Sequence, residues 1–309
     1  MKRLVLRWGR SSYETDSDLK RERAAALGLG LDWRLDVGKQ PDLRGVDVLV
    51  VVSGVRVDRA VIAQFTGDLI VATTSGVDHI DVASCQEFGK TLVRCAEARR
   101  DAVVEQAIGQ LVTLMRGFPA LEAAARGGEW ARAQLPQLAP RPIQGSSIVV
   151  VGQGVIGIRA SEVLRGMGAR VFGVDPLLPE APRLEDVLPG ADAVTLHCSL
   201  TESSRNLLSR ERLALLPSHA VMVNTARGDV LDLEAALERV KSGRLRGLAV
   251  DVFPEEPWPG LAEAAAIPGV LLTPHSAGFV VDLGRKVAEG VGKALAAWKN
   301  GEVPAYRVC

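Results

Sequence analysis

The run Ile148-Val149-Val150-Val151-Gly152-Gln153-Gly154-Val155-Ile156-Gly157 constrains this chain most, because aliphatic residues breaking into G-x-G-x-x-G describe a strand turning sharply into a helix. Gly152 permits the tight turn, Gly154 lets backbone approach a phosphate, and Gly157 lets the helix lie close on the strand. Three glycines alone are a weak signal, so the flanks must decide. Ile156, Ala160, Val163, Leu164 and Met167 fall at helical spacing and predict a helix over Val155 to Met167, its first amides facing an anion. A second strand, Arg170 to Val174, ends at Asp175, 18 residues past Gly157. An acid at that distance suits the ribose hydroxyls of a dinucleotide. Pro176 and Leu177 follow it rather than a cation, so a 2′-phosphate would face an uncompensated carboxylate, and the reading is NAD(H) over NADP(H). The plain alternative is a glycine-rich turn with an aspartate that caps a helix.

A chain of 309 residues exceeds what one core ordinarily serves, and two domains are expected. Short apolar runs alternate with helical stretches, which predicts parallel sheets with crossover helices. Strands are read at Leu4 to Leu6, Leu31 to Val37, Val46 to Val52, Leu69 to Thr73 and Thr91 to Arg94. A long bridging helix is read from Asp101 to about Arg126, and a surface connection over Trp130 to Pro142. A second α/β unit starts at Ser146, with later strands at Ala193 to His197, Ala220 to Asn224, Leu245 to Val250 and Val270 to Leu272. The last helix, about Val280 to Lys299, is placed back on the first unit. The expected domains are therefore 1–97 completed by 281–309, and 98–280.

Lys plus Arg and Asp plus Glu number 37 each, which argues against a basic nucleic-acid surface. No run approaches the roughly 18 apolar residues of a membrane span. Arg7 and Arg10 interrupt the N-terminal apolar stretch before a signal region forms, so a cytoplasmic protein is expected. Cys85, Cys95, Cys198 and Cys309 form no C-x-x-C pair, and no His/Cys cluster has zinc spacing, so no metal is expected.

Polar residues gather after three strands of the second unit: Asn224-Thr225-Ala226-Arg227-Gly228, Asp251-Val252-Phe253-Pro254-Glu255-Glu256-Pro257, and Thr273-Pro274-His275-Ser276-Ala277-Gly278. Hydride transfer between an alcohol and nicotinamide needs a base for the hydroxyl proton, a cation for carbonyl and carboxylate, and a group that tunes the base. Histidine, with an ordinary pKa of about 6.5, suits the base. Glutamate on its other ring nitrogen fixes the tautomer, and arginine binds a planar carboxylate through two parallel bonds. Taken singly, Arg227 could be an ion-pair partner, Glu256 a solvated loop acid and His275 a satisfied buried group. Their order after a dinucleotide turn favours the joint reading.

These segments, N-T-A-R-G, D-V-F-P-x-E-P and T-P-H in succession, resemble the D-isomer-specific 2-hydroxyacid dehydrogenase family, whose members include phosphoglycerate, glycerate, D-lactate, formate and phosphite dehydrogenases. The resemblance runs from about Val48 to the C-terminal helix. It implies an α/β chain of two domains, a Rossmann NAD-binding domain and a flavodoxin-like substrate domain, with an interdomain cleft. It implies catalytic roles for Arg227, Glu256 and His275 on a small 2-hydroxy or 2-keto acid. Asp251 is implied to meet the nicotinamide carboxamide. Thr225 and Ala226 would line the cofactor, the amides of Val155 and Ile156 would take the pyrophosphate, and Ser276, Ala277 and Gly278 would sit beside nicotinamide. Gly152, Gly154, Gly157, Asp175 and Cys198 complete the expected cofactor residues. Ser75, Gly76 and Val77 are similar to the family's substrate-carboxylate loop, Ser53 and Gly54 to a second loop, and a homodimer is implied through the bridging helix. His79, His197 and His219 are read as structural.

The chain also departs from the family. An Asn-x-Pro-Gly loop becomes Arg94-Cys95-Ala96-Glu97-Ala98-Arg99-Arg100-Asp101, so Arg99 or Arg100 reads either as an anion ligand or as part of an ion pair. Ser199 replaces a proline after His197, which alters the expected adenine wall. The alternatives to a hydroxyacid dehydrogenase are a phosphite- or formate-type enzyme and an NAD(H)-sensing corepressor of the same fold.

Overall fold

The computed structural model describes residues 2–309 and divides into two compact units, each described by itself. The first comprises the chain up to Arg99 together with Phe279–Cys309. Its strands β1 (Leu4–Trp8), β2 (Asp32–Asp36), β3 (Val46–Val51), β4 (Leu69–Ala72) and β5 (Thr91–Arg94) form one parallel sheet ordered β2-β1-β3-β4-β5. Strands covered on both faces read as continuous apolar runs, as β3 and β4 do, and alternate residues serve opposite cores. Val48, Val50, Leu69 and Val71 face one side, while Leu49, Val51, Ile70 and Ala72 face the other with Ile62 and Phe65. Helix Leu283–Lys299 lays Leu283, Val287, Val291 and Leu295 on the first of these cores, a stripe at four-residue spacing that draws it back to this unit. It begins three residues later than its apolar pattern suggested. Residues 306–309 add an antiparallel pairing along β5, with Val308 N–H donating to Leu92 O at 2.7 Å and Leu92 N–H to Cys309 O at 3.1 Å. That pairing covers a sheet edge and is too short to show in the sequence.

The second unit, Arg100–Gly278, carries β6 (Ser147–Val151), β7 (Arg170–Val174), β8 (Ala193–Leu196), β9 (Val221–Asn224), β10 (Gly247–Val250) and β11 (Val270–Leu272). All pair in parallel, in the order β11-β10-β9-β8-β6-β7. Chain direction across the sheet reverses between β6 and β8, so the crevice favoured by ligands opens at Val151 and Leu196. The expected single helix over 101–126 is two: Glu97–Arg116 and Phe118–Arg126. Gly117 takes a left-handed backbone (φ 68°) and Pro119 sits in the first turn of the second helix, a stop and restart that apolar periodicity alone did not separate. Leu111, Leu114 and Met115 of the first helix pack on Ile148, Val150, Val221 and Val223. No helix among the described residues is long and apolar enough to cross a membrane.

One buried ionic cluster lies at the end of β1. Arg7, wholly buried, pairs with Glu14 and, at 2.5 Å, with Glu22, while Trp33 Nε1 donates to Glu22 at 3.1 Å. Burial pushes the Glu22 carboxyl up, with Arg7 and Trp33 pulling the other way. Removing the one cation leaves two buried carboxylates without it. Arg7→Met is therefore expected to cost about 3–5 kcal/mol, read as a lowered urea midpoint. A loss below about 1 kcal/mol would show that the cluster contributes little.

Candidate active site

The glycine turn follows β6, and its three glycines do different things. Gly152 has φ +89°, and a Cβ there would lie 2.5 Å from Cys198 N, so the chain after β8 presses directly on it. A Cβ on Gly157 would sit 1.8 Å from Gly152 O, which no side chain survives. Gly154 meets nothing within 4 Å, and the open space lies at the start of helix Val155–Gly166. The amides of Val155 and Ile156 belong to its first turn and have no intrahelical acceptor. Asp175, just past β7, accepts from Gln153 N–H at 2.7 Å and Leu177 N–H at 3.0 Å, and no cation pairs with it among the described residues. An open anion-binding helix start beside a carboxylate free of cations fits a dinucleotide with an unphosphorylated ribose. Gln153 went unassigned in the sequence. Its side chain folds under the turn to donate to Val150 O at 3.0 Å, where a Cβ on Gly173 would come within 2.7 Å of its amide. Burial pushes the Cys198 thiol up to about 11.

Three loops carry the other second-unit residues. Asn224, fully buried, donates to Arg227 O at 3.0 Å and accepts from Ala226 N–H at 3.0 Å, fixing the backbone of the loop from Thr225 to Arg227. A Cβ on Gly228 would lie 2.0 Å from Phe253 C and 2.3 Å from Pro254 N, so the Arg227 loop and the Glu256 loop are in backbone contact. Glu256 divides its carboxylate: Oε1 accepts from Phe253 N–H at 3.0 Å, and Oε2 meets His275 Nδ1 at 2.7 Å. The side chains of His275 and Glu256 are 50% and 37% exposed, so solvent and small molecules reach the pair. Arg227 donates from Nη1 to Ala226 O at 2.6 Å.

Asp251 is fully buried beneath these loops. Its Oδ1 accepts from Thr273 Oγ1 at 2.5 Å, Gln106 Nε2 at 2.9 Å and Ser276 N–H at 2.9 Å, and its Oδ2 from Ala277 N–H at 3.0 Å. Gly278 ends the unit directly after them. Thr225 Oγ1 lies 3.4 Å from His197 Nδ1. Asn224, Gly228 and Thr273 stand in the segments that carry the resemblance but were given no role of their own in the sequence, and Gln106 was not singled out.

In the first unit, the switch between β1 and β3 lies beside the Ser53–Gly54 loop, both residues exposed. Ser75, Gly76 and Val77 follow β4, each half-buried, with Thr74 Oγ1 donating to Gly76 O at 2.6 Å and Arg94 Nη1 to Ser75 O at 3.1 Å. Arg100 pairs with Asp101 at 3.0 Å, as the ion-pair reading has it. Arg99 instead donates to Thr73 O and to the Tyr13 hydroxyl, both at 2.6 Å.

Residues 108–277 match the family described as D-isomer specific 2-hydroxyacid dehydrogenase, NAD binding domain. The chain is 31% identical over 268 residues to the D-3-phosphoglycerate dehydrogenase of Methanocaldococcus jannaschii, covering 82% of this chain but only half of that protein's length. It is 32% identical over 277 residues to a glyoxylate reductase of Thermococcus kodakarensis, covering 85% of this chain and 83% of the relative. A solved D-lactate dehydrogenase of Aquifex aeolicus, complexed with NAD and lactic acid, shares the fold at a TM-score of 0.80 over 96% of each chain and 22% identity. The chain belongs to the D-isomer-specific 2-hydroxyacid dehydrogenase family, and NAD is its cofactor.

His197, just past β8, is enclosed between Thr195 Oγ1, 3.0 Å from Nε2, and Thr225, and burial lowers its pKa to about 4. The folded chain keeps this ring neutral, whereas the unfolded chain takes a proton near 6.5. Between those values the unfolded state binds more protons, so stability must fall as pH falls from about 6.5 to about 4, by about 3 kcal/mol. His197→Gln should remove that part of the slope. Unfolding free energies of the two proteins that stay parallel across the window would contradict the assignment.

Proposed function

We propose that the protein interconverts a D-2-hydroxy acid and its 2-keto acid, with His275 as acid–base group, Glu256 as its partner and Arg227 as the substrate anchor. The observation that carries this reading is the 2.7 Å contact of His275 Nδ1 with Glu256, which leaves Nε2 without a protein partner among the described residues. NAD, when bound, supplies the hydride acceptor or donor. In oxidation, Nε2 of His275 takes the hydroxyl proton, and in reduction the imidazolium returns it. Glu256, on the other ring nitrogen, fixes the orientation of the imidazole so that Nε2 faces the substrate. Arg227 holds the substrate carboxylate and the carbonyl oxygen on which charge develops. The turn at 152–157 and Asp175 hold the cofactor. The first unit is assigned as the substrate domain, with the loops at Ser53–Gly54 and Ser75–Val77 presenting backbone amides to the substrate. His275→Ala is expected to lower kcat by about 10²–10⁴ while leaving the NADH dissociation constant within about twofold, measured over a panel of 2-keto acids. Full turnover in that variant would refute the assignment.

We further propose a homodimer. Helix Phe118–Arg126 buries none of its residues, Phe118 is 46% exposed and Trp130 86% exposed, an apolar surface that a second copy would cover. Light scattering should give twice the chain mass for the native protein and a smaller mass for Trp130→Asp with Phe118→Asp. A native monomer would rule the dimer out.

A further inference from the structure

The backbone of His275 is left-handed, φ +51°, a region that is strained for an ordinary residue and persists only where neighbours enforce it. Here Asp251 enforces it. His275 N–H donates to Asp251 O at 2.7 Å, and the next two amides, Ser276 and Ala277, donate to the two oxygens of its carboxylate. The orientation of that carboxylate therefore sets where the imidazole begins. Thr273 Oγ1 and Gln106 Nε2 both donate to Oδ1. The Thr273 hydroxyl also receives Gln106 Nε2 at 3.0 Å and Gln110 Nε2 at 3.3 Å. With its lone pairs occupied by two amide donors, its own proton has one direction left, toward Asp251. Gln106 and Gln110 stand one turn apart on helix Glu97–Arg116, so a rigid element backs the hydroxyl.

We propose that Thr273, oriented by Gln106 and Gln110, is a positioning residue for His275. Through Asp251 it holds the turn that aims Nδ1 at Glu256 and leaves Nε2 for the substrate. The inference rests on the acid–base role given to His275, and its test has a readout independent of turnover. Ring-nitrogen shifts of His275, read through carbon-bound protons and assigned with His275→Ala, report which nitrogen carries the proton. In the native protein the Nδ1–H form is expected, because Nδ1 faces the Glu256 carboxylate. Thr273→Val removes the hydroxyl at constant shape and is expected to shift the ring toward the Nε2–H form and lower kcat about 10- to 100-fold. Thr273→Ser restores the hydroxyl and should return both readouts to within about threefold of native. Gln110→Leu, which keeps the hydroxyl and every direct bond to Asp251 but removes one of the amides that orient the hydroxyl proton, should move both readouts in the same direction by less, and decides the question if Thr273→Val does not fold.

An unchanged tautomer in the folded Thr273→Val protein overturns the proposal, whether or not kcat falls. So does a Thr273→Ser protein as impaired as Thr273→Val. If the native protein reduces no 2-keto acid with NADH, the acid–base reading fails by itself, and the tautomer comparison still decides whether Thr273 places the ring.

Discussion

The close approach of backbone to backbone at the carboxyl ends of the second sheet is the constraint on which the rest depends. Gly152 lies against Cys198, Gly157 against the carbonyl of Gly152, and Gly228 against Phe253 and Pro254, each without room for a methyl group. These contacts lock the turn after β6 to the chain after β8, and the loop after β9 to the loop after β10. Cofactor turn, arginine loop and glutamate loop thus form a fixed set, and the glycines that permit it act through the missing side chain, Gly152 also through its left-handed backbone. A parallel sheet buried on both faces supplies the frame, because its apolar strands leave only their ends for polar chemistry.

The parts legible in the sequence are those with a local signature. Strands such as Val46–Val51 and Ser147–Val151 are short apolar runs between turn signals, and the stripe of Leu283, Val287, Val291 and Leu295 announces a helix that must bury one face. Gly152, Gly154 and Gly157 separate into their steric and open roles as the motif implies. What the sequence hid is set by tertiary contact. Gln106 and Thr273 stand 167 positions apart and meet only once helix and sheet have docked. Gly117 lay inside an unbroken apolar periodicity, and only its left-handed backbone ends the helix there. Arg99 illustrates the same limit: a cation in a charged segment reads as an ion pair or an anion ligand, whereas the fold gives it a carbonyl and a phenol.

The pairing of His275 with Glu256 also has a meaning that distance alone does not give. Half-exposed ion pairs contribute roughly 0–1 kcal/mol to stability, so a contact at 50% and 37% exposure is not what holds these loops. Glu256 is held by Phe253 N–H through its other oxygen, and the imidazole starts from a backbone fixed by Asp251. Both partners are therefore placed before they meet, each from the buried side. The ring therefore has little freedom left to lose. A fully bonded acid lies underneath and a half-exposed imidazole–carboxylate pair above, which joins a rigid foundation to the group proposed to carry the proton.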